Sequence, residues 1–138
     1  PDRIAAGMAL CGGTSLKDVS GLGRLPFWII HGTADRAVPV SKSKTVVESL
    51  KRDGNDTRLL YDWLKGANHG APARIFYLRK TYEWLFSHSL LDKDRPVRRD
   101  LTIGLDDLRR AYGDVRRNAG APELIEGPSV IKGEGHEY

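Results

Sequence analysis

Cysteine and long apolar runs are both scarce in this sequence. The single cysteine, Cys11, rules out an internal disulfide and a multi-cysteine metal site. No apolar run approaches the roughly 18 residues that a membrane-spanning helix requires, so the sequence predicts no membrane span. With 40% apolar and 29% charged residues, the 138-residue chain has the composition of a folded domain with a real core.

The net charge of the chain is also small, at +4. Residues 1–94 contain 14 basic and 10 acidic side chains, whereas residues 95–138 contain eight of each. A nucleic-acid-binding surface usually shows clustered basic residues with aromatic residues between them, and here the basic residues are scattered or alternate with acidic ones. We therefore expect no nucleic-acid partner. The alternative, an anionic partner bound by the arginine-rich segment near the C-terminus, predicts binding that weakens steeply with salt.

Strand and helix signals alternate along the first 90 residues. Apolar, aromatic and β-branched runs predict three strands, at residues 4–11, 27–31 and 57–64. Strands that alternate with helices predict a parallel sheet of the α/β class with right-handed crossovers. Three strands and two helices give such a sheet too little cover, and we expect more sheet upstream of this chain.

Two amphipathic helices are predicted between and after these strands. The first covers about 41–52, with Ser41 or Ser43 as its N-cap and Gly54 at its end. The second begins near Pro72, continues to about residue 87, and has apolar residues at helical spacing: Ile75, Leu78, Tyr82 and Leu85.

Polar loops follow two neighbouring predicted strands. Asp35 lies in the loop after strand 27–31, and His69 lies in the loop after strand 57–64. Ligands bind at the carboxyl ends of parallel strands, so these two side chains can meet there. The carboxylate would fix the tautomer of the imidazole and leave its other nitrogen free to take a proton from a nucleophile. Each residue also has a simpler interpretation, Asp35 as a turn residue and His69 as a surface-loop histidine.

The sequence around both residues resembles the C-terminal part of an α/β-hydrolase. The run HGTADRAVPVSKSKTVVESLKRDG, then GANHG, then an aromatic helix ending YEWLFSH is similar to the carboxylesterase, dienelactone-hydrolase and prolyl-oligopeptidase-like branches. The opening PDRIAAGMALCGG resembles the strand after the nucleophile helix in that family. The resemblance covers residues 1 to about 90 and implies part of a hydrolase sheet, with Asp35 as the triad acid and His69 as the base.

The nucleophile elbow of that family, Gly-x-Ser-x-Gly, does not occur in these 138 residues. The resemblance therefore implies a fragment with two of three triad members, inactive by itself. Its N-terminal half would be supplied by upstream residues or by a partner chain, and the opening Pro1-Asp2-Arg3, without a methionine or a signal-peptide layout, favours the same expectation. Cys11 is an alternative nucleophile, because some dienelactone hydrolases use a cysteine elbow. It lacks the glycine two residues before it, and a buried thiol is the other interpretation.

The resemblance implies hydrolysis of carboxylic esters, small or polymer-linked, by a Ser-Asp-His triad whose serine lies outside this chain. It implies no cofactor and no metal. Two alternatives stay open: a serine peptidase of the prolyl-oligopeptidase-like branch, and a non-catalytic α/β binding module that retains the motifs. One cysteine is compatible with a cytoplasmic enzyme and with a secreted or periplasmic bacterial one.

Residues beyond the resemblance have a different character. We expect a linker at 91–104, and a helical extension with an irregular tail at 105–138. Leu108, Tyr112 and Val115 share one face of the predicted helix. Structural interpretations are favoured for the remaining histidines, tryptophans and the short glycine run: His31, His88, His136, Trp28, Trp63, Trp84 and Gly12-Gly13-Thr14.

Overall fold

The computed structural model of the protein describes residues 2–94 and 103–118. Most of the expected linker and all of the expected tail, including His136, lie outside the described residues. The helices and strands, in chain order, are β1 (Gly7–Leu10), a 3₁₀ helix (Ser20–Arg24), β2 (Phe27–Gly32), α1 (Val40–Arg52), β3 (Leu59–Leu64), a second 3₁₀ helix (Ala71–Tyr77), α2 (Arg79–Phe86) and α3 (Leu105–Asn118). None of the helices in these ranges is long and apolar enough to cross a bilayer.

The three strands form one parallel sheet in the order β1-β2-β3, which confirms the predicted α/β class. β2 is the central strand and is almost entirely buried, because its aromatic and β-branched residues face apolar neighbours on both sides of the sheet. Its register brings Ile30 opposite Leu10 of β1 and opposite Asp62 of β3. The carboxyl ends of β2 and β3 therefore lie side by side, and the loops that carry Asp35 and His69 leave the sheet together.

One face of the sheet is covered by α1. Val46, Val47 and Leu50 line the buried side of this helix and pack against Ile29 and Leu59. The expected cap by Ser41 or Ser43 is wrong: the N-cap is Pro39, and no side chain caps the helix. Ser43 is instead buried inside the first turn and donates to the carbonyl oxygen of Gly12. Gly54 does follow the helix, in the left-handed conformation at φ 70°.

The second predicted helix is divided in two. An extended residue, Leu78 (φ −95°, ψ 127°), separates the 3₁₀ helix Ala71–Tyr77 from α2. The break shifts the helical phase, so Thr81 and Trp84 are buried whereas Tyr82 is exposed and stacks on Phe86. The expectation of one continuous helix with Tyr82 on its apolar face is therefore wrong.

The other face of the sheet carries the larger core. Trp28 of β2 meets Trp84 of α2 edge to face, with ring centroids 5.3 Å apart, and neither indole is exposed. The same cluster contains Ile103 and Leu108, because α3 packs on the second 3₁₀ helix. Ile103 and Leu108 thus belong to the same buried cluster as Leu64, at the end of β3, and Ala67, in the loop that follows it.

An open apolar cleft of about 450 Å³ lies beside the start of β1. Its lining includes Ile4 and Leu16, whose side chains are 52% and 72% exposed. Within residues 2–94 and 103–118, β1 pairs with β2 alone, so its outer edge has free backbone groups.

Candidate active site

Asp35 lies three residues beyond the end of β2, buried in a tight loop. Its Oδ1 accepts hydrogen bonds from the backbone N–H groups of Ala37 (2.9 Å) and Val38 (2.8 Å). This is the local turn chemistry expected of an aspartate. Because both bonds use Oδ1, the second carboxylate oxygen, Oδ2, is available for partners outside the loop.

His69 lies in the loop after β3, and hydrogen bonds tie this loop to the Asp35 loop. The N–H of Thr33 donates to the carbonyl oxygen of Leu64, and the N–H of Ala34 donates to that of Ala67, both at 3.0 Å. In return, the N–H of Gly66 donates to the Thr33 hydroxyl at 2.8 Å. Gly66 has φ 77°, a conformation that favours glycine. The two loops therefore form one connected backbone unit.

The structure brings Asp35 and His69 into direct contact. His69 Nδ1 lies 2.7 Å from Asp35 Oδ2. An ionised carboxylate only accepts hydrogen bonds, so Nδ1 carries a ring proton, and in the neutral ring Nε2 carries the lone pair. Among the described residues nothing hydrogen-bonds to Nε2, and half of the His69 side chain (51%) is exposed. The pair can therefore accept a proton from a group within hydrogen-bond distance of Nε2.

Asp35 is held in its charged form by its hydrogen bonds. Burial alone raises the pKa of this carboxyl, but the N–H of Val38, the ring of His69 and the N–H of Ala37 outweigh burial. Together they lower the pKa of Asp35 to about 2. Above acidic pH the residue is a carboxylate that can orient His69 and stabilise its imidazolium form.

The free energy of unfolding should consequently fall as the pH is lowered from about 4 to about 2. The folded-state pKa of Asp35 lies below its ordinary value of about 3.9, so its contribution is complete above that value and disappears as pH falls through the folded pKa. Thermal unfolding of the protein and of Asp35→Asn, measured across this range, checks the prediction. The pKa values of Asp18 and Asp107 are also lowered, but both proteins contain these residues. Equal pH slopes in the two proteins would contradict it.

Gly32, the last residue of β2, allows the His69 loop to approach. A β-carbon at this position would overlap the carbonyl oxygen of Ala67 and lie 2.8 Å from that of Asn68. Both obstacles are backbone atoms, which cannot rotate away as a flexible side chain could. Only glycine permits this distance between the two loops.

Substituting Gly32 by alanine should displace the His69 loop and lower the free energy of unfolding by about 1–3 kcal/mol, the usual cost of overpacking. The expected signature is the loss of a protected ring N–H signal from His69 in proton NMR, together with a lower unfolding temperature. Gly21→Ala is the matched control, because a β-carbon there has no neighbour within 4 Å and the backbone does not need glycine. An intact His69 signal in Gly32→Ala would show that the close approach is not required.

Asn68 is a site residue that sequence reasoning missed. Its Oδ1 accepts hydrogen bonds from the N–H groups of Gly70 (3.1 Å) and Ala71 (3.0 Å). These bonds fold the chain around His69 and begin the 3₁₀ helix that follows it. The sequence does contain a signal for this role. The first backbone N–H groups of a helix have no partner within the helix, and an asparagine two or three residues before them can accept their hydrogen bonds.

Cys11 lies behind the pair and is not aimed at the free nitrogen of His69. The thiol is buried and donates to the backbone carbonyl oxygen of His69 at 3.3 Å. Burial raises the pKa of this thiol, the N–H of Gly32 partly opposes that, and the nearby Asp35 carboxylate raises it further. The geometry favours the buried-thiol interpretation over the nucleophile.

One cluster of the described residues brings together three side chains of the types that bind metal ions. Donor atoms of Cys11, His31 and Asp35 lie within 4.8 Å of one another. All three are already hydrogen-bonded: Cys11 to the His69 carbonyl, His31 to the Val38 carbonyl and Asp35 to His69. A metal ion would have to displace the thiol proton and a ring proton, so the cluster is better explained as a hydrogen-bonded network.

The glycine run and His88, both interpreted from the sequence as structural, lie in surroundings that agree with that interpretation. The run Gly12-Gly13-Thr14 lines a cavity of about 150 Å³ whose other walls include Ala9 and Ile29, a setting that does not favour phosphate. His88 follows α2, and its Nδ1 donates to the carbonyl oxygen of Trp84 at 2.8 Å.

Comparison with known proteins agrees with this fold. Residues 16–91, more than half of the chain, match the model of the Prolyl oligopeptidase family. The fold is similar to the crystal structure of a thermostable esterase, with a TM-score of 0.55, 27% sequence identity, and coverage of 62% of this chain and 24% of the esterase. The chain thus spans about a quarter of the length of that esterase. No curated protein matches the sequence. On its sequence and on its hydrolase-like parallel sheet, this chain belongs to the prolyl oligopeptidase family.

Proposed function

We propose that this chain supplies the acid and the base of a serine hydrolase that cleaves carboxylic esters. Asp35 is the acid, His69 is the base, and the serine lies outside these 138 residues. The observation that carries the proposal is the Asp35–His69 contact of 2.7 Å, which leaves Nε2 of a half-exposed imidazole without a partner among the described residues.

Each residue has one role in the proposed reaction. His69 Nε2 takes the serine proton while the serine oxygen attacks the ester carbonyl, and then gives that proton to the leaving alcohol. Asp35 keeps Nδ1 protonated and stabilises the imidazolium that forms. Water then hydrolyses the acyl-enzyme by the same proton transfers. No step requires a cofactor.

Two observations support a nucleophile outside these 138 residues. The sequence contains no Gly-x-Ser-x-Gly elbow, and the matched part of the esterase is 24% of that protein. The free edge of β1 and the apolar cleft beside it are the surfaces on which further sheet would pack. These surfaces support the proposal that a further part of the hydrolase packs there, whether it belongs to the same polypeptide or to a partner chain.

The structural neighbour and the family favour different acyl substrates. The thermostable esterase supports an ester, and the family description supports a peptide as the second candidate. Both reactions use the same acid–base pair, since both pass through an acyl-enzyme. The choice of substrate therefore depends on residues that bind the acyl and leaving groups rather than on Asp35 and His69.

A fluorophosphonate probe, which labels activated serines, tests the proposal on the protein from its natural source. We expect a labelled species that contains peptides of this chain, and loss of labelling in His69→Ala. Hydrolysis of a chromogenic ester, compared with a prolyl peptide, then separates the two substrate classes. A protein that is stable and folded but takes up no label would overturn the proposal and favour a non-catalytic binding module.

A further inference from the structure

His31 is the second histidine of the site, and no part of its side chain is exposed. It lies in β2, four residues before Asp35. Its Nε2 is 2.8 Å from the carbonyl oxygen of Val38 and 3.2 Å from Asp35 Oδ2. Its Nδ1 is 2.7 Å from the hydroxyl of Ser43 on α1. Both nitrogens of a fully buried ring are thus in contact with polar atoms.

The proton on Nε2 is determined by the Val38 contact. A carbonyl oxygen only accepts hydrogen bonds, so Nε2 of His31 must be the donor. The same N–H lies beside Asp35 Oδ2, which also accepts from His69 Nδ1 at 2.7 Å. Oδ2 is therefore held between two imidazole rings, and His69 is the one that is exposed.

His31 also hydrogen-bonds to Val38, the residue whose backbone N–H donates to Asp35. The N–H of Val38 donates to Asp35 Oδ1, and the carbonyl of the same residue accepts from His31. The ring therefore contacts Oδ2 at 3.2 Å, and it hydrogen-bonds to the carbonyl of the same residue whose N–H donates to Oδ1. Rotation of the Asp35 side chain away from His69 would lose the two hydrogen bonds to Oδ1 and the contact with the His31 ring.

Ser43 lies against the far side of the ring. Its hydroxyl oxygen is 2.7 Å from His31 Nδ1 and 2.7 Å from the carbonyl oxygen of Gly12, two residues beyond the end of β1. A hydroxyl has a single proton, so Ser43 can donate to only one of these two partners at a time. The hydroxyl is buried and belongs to the first turn of α1. The His31–Ser43 contact thereby joins β2 to α1, and Ser43 also reaches the segment after β1.

We propose that His31 is a positioning residue that fixes the Asp35 carboxylate in the orientation His69 requires. The catalytic part of this inference rests on the proposed function, and the geometric part does not. His31 contacts neither substrate nor nucleophile, and acts only through Asp35.

Two substitutions separate the contacts of the ring. The amide nitrogen of glutamine reaches about as far from the backbone as Nε2, so His31→Gln can keep the hydrogen bond to Val38 and the contact with Asp35 while losing the contact with Ser43. The amide nitrogen of asparagine reaches about as far as Nδ1, so His31→Asn keeps the Ser43 side and loses Asp35. Both variants lose the ring and its packing, which makes them a matched pair.

The test measures the His69 Nδ1–H signal by NMR in full-length protein labelled with ¹⁵N histidine, beside the thermal unfolding midpoint. We expect His31→Gln to retain the protected signal and His31→Asn to show proton exchange faster by about tenfold or more. In the intact enzyme, His31→Asn should lower kcat by about 10²-fold, the size of effect that a small displacement of a catalytic group produces, with KM unchanged.

A purely structural role predicts something else: both variants unfold at lower temperature, and the His69 signal and kcat stay as in the natural protein. That result, or equal loss of the signal in both variants, would overturn the proposal. The NMR comparison does not involve the nucleophile. Absence of fluorophosphonate labelling with an intact NMR pattern would therefore remove the proposed function and leave the positioning of Asp35 supported.

Discussion

Asp35→Asn should lower kcat for ester hydrolysis by about 10⁴-fold in the intact enzyme, with little change in fold. The backbone N–H groups of Ala37 and Val38 both donate to Oδ1, so the amide oxygen of asparagine takes that position. The amide NH₂ then replaces Oδ2 and points its protons at His69 Nδ1. The ring responds by moving its own proton to Nε2, and it can no longer accept a proton from the serine.

The measurement is kcat with a chromogenic ester, with the rate of fluorophosphonate labelling as a second readout. Asp92→Asn is the matched control, because the Asp92 carboxylate accepts a backbone N–H from Ser89 and lies outside both the site and the cleft beside β1. We expect the control to retain full activity. A loss of less than about tenfold in Asp35→Asn would show that another residue orients the base, since tautomer control is worth far more than that.

Whether a feature of this site could be predicted from the sequence depends on how far apart in the chain the interacting residues lie. Asp35 and His69 each follow a strongly patterned strand, and parallel pairing of those strands is enough to bring the two loops together. Ser43 shows the opposite case. A serine near a helix start predicts a cap, but this one is turned inward by a histidine 12 residues earlier and a carbonyl 31 residues earlier. Local propensity carries no information about such partners.

The break at Leu78 has a similar origin. Periodicity through Ile75, Leu78 and Tyr82 is that of one helix, and nothing in the local pattern marks an extended residue in its middle. The core decides the outcome, because Trp84 must reach Trp28 while Thr81 donates to the carbonyl oxygen of Ile75. Tertiary packing here overrides an amphipathic pattern that is correct for each half separately.

The segment after residue 90 differs in composition from the hydrolase-like part, but it packs against that part in the structure. The sequence predicts an extension, yet α3 contacts the 3₁₀ helix that begins directly after the His69 loop. Tyr112 of α3 stacks on Tyr77 at 5.9 Å, and the Arg74 guanidinium lies 4.4 Å from the centre of the Tyr112 ring. We infer that residues 103–113 fold together with the sheet, because they pack on the 3₁₀ helix that follows the His69 loop.

Leu108→Ala tests this inference, with an expected loss of about 2–5 kcal/mol in the free energy of unfolding. Leu108 is fully buried in the same cluster as Trp28 and Trp84, so truncation leaves a cavity in the main core. Alanine is the best helix former, and the loss therefore cannot come from weakened propensity in α3. Denaturant unfolding, followed through tryptophan fluorescence, reports directly on that cluster.

Arg109→Ala is the control on the same helix. Arg109 is exposed, and its ion pair with Asp106, at 3.3 Å, lies at the surface, where such pairs contribute little. Its substitution should change stability by no more than about 0.5 kcal/mol. If residues 105–138 instead formed a separate extension, Leu108→Ala would behave like this control, and the tryptophan transition would stay in place. A single transition that moves in Leu108→Ala alone means that α3 and the loop carrying His69 belong to one cooperative unit.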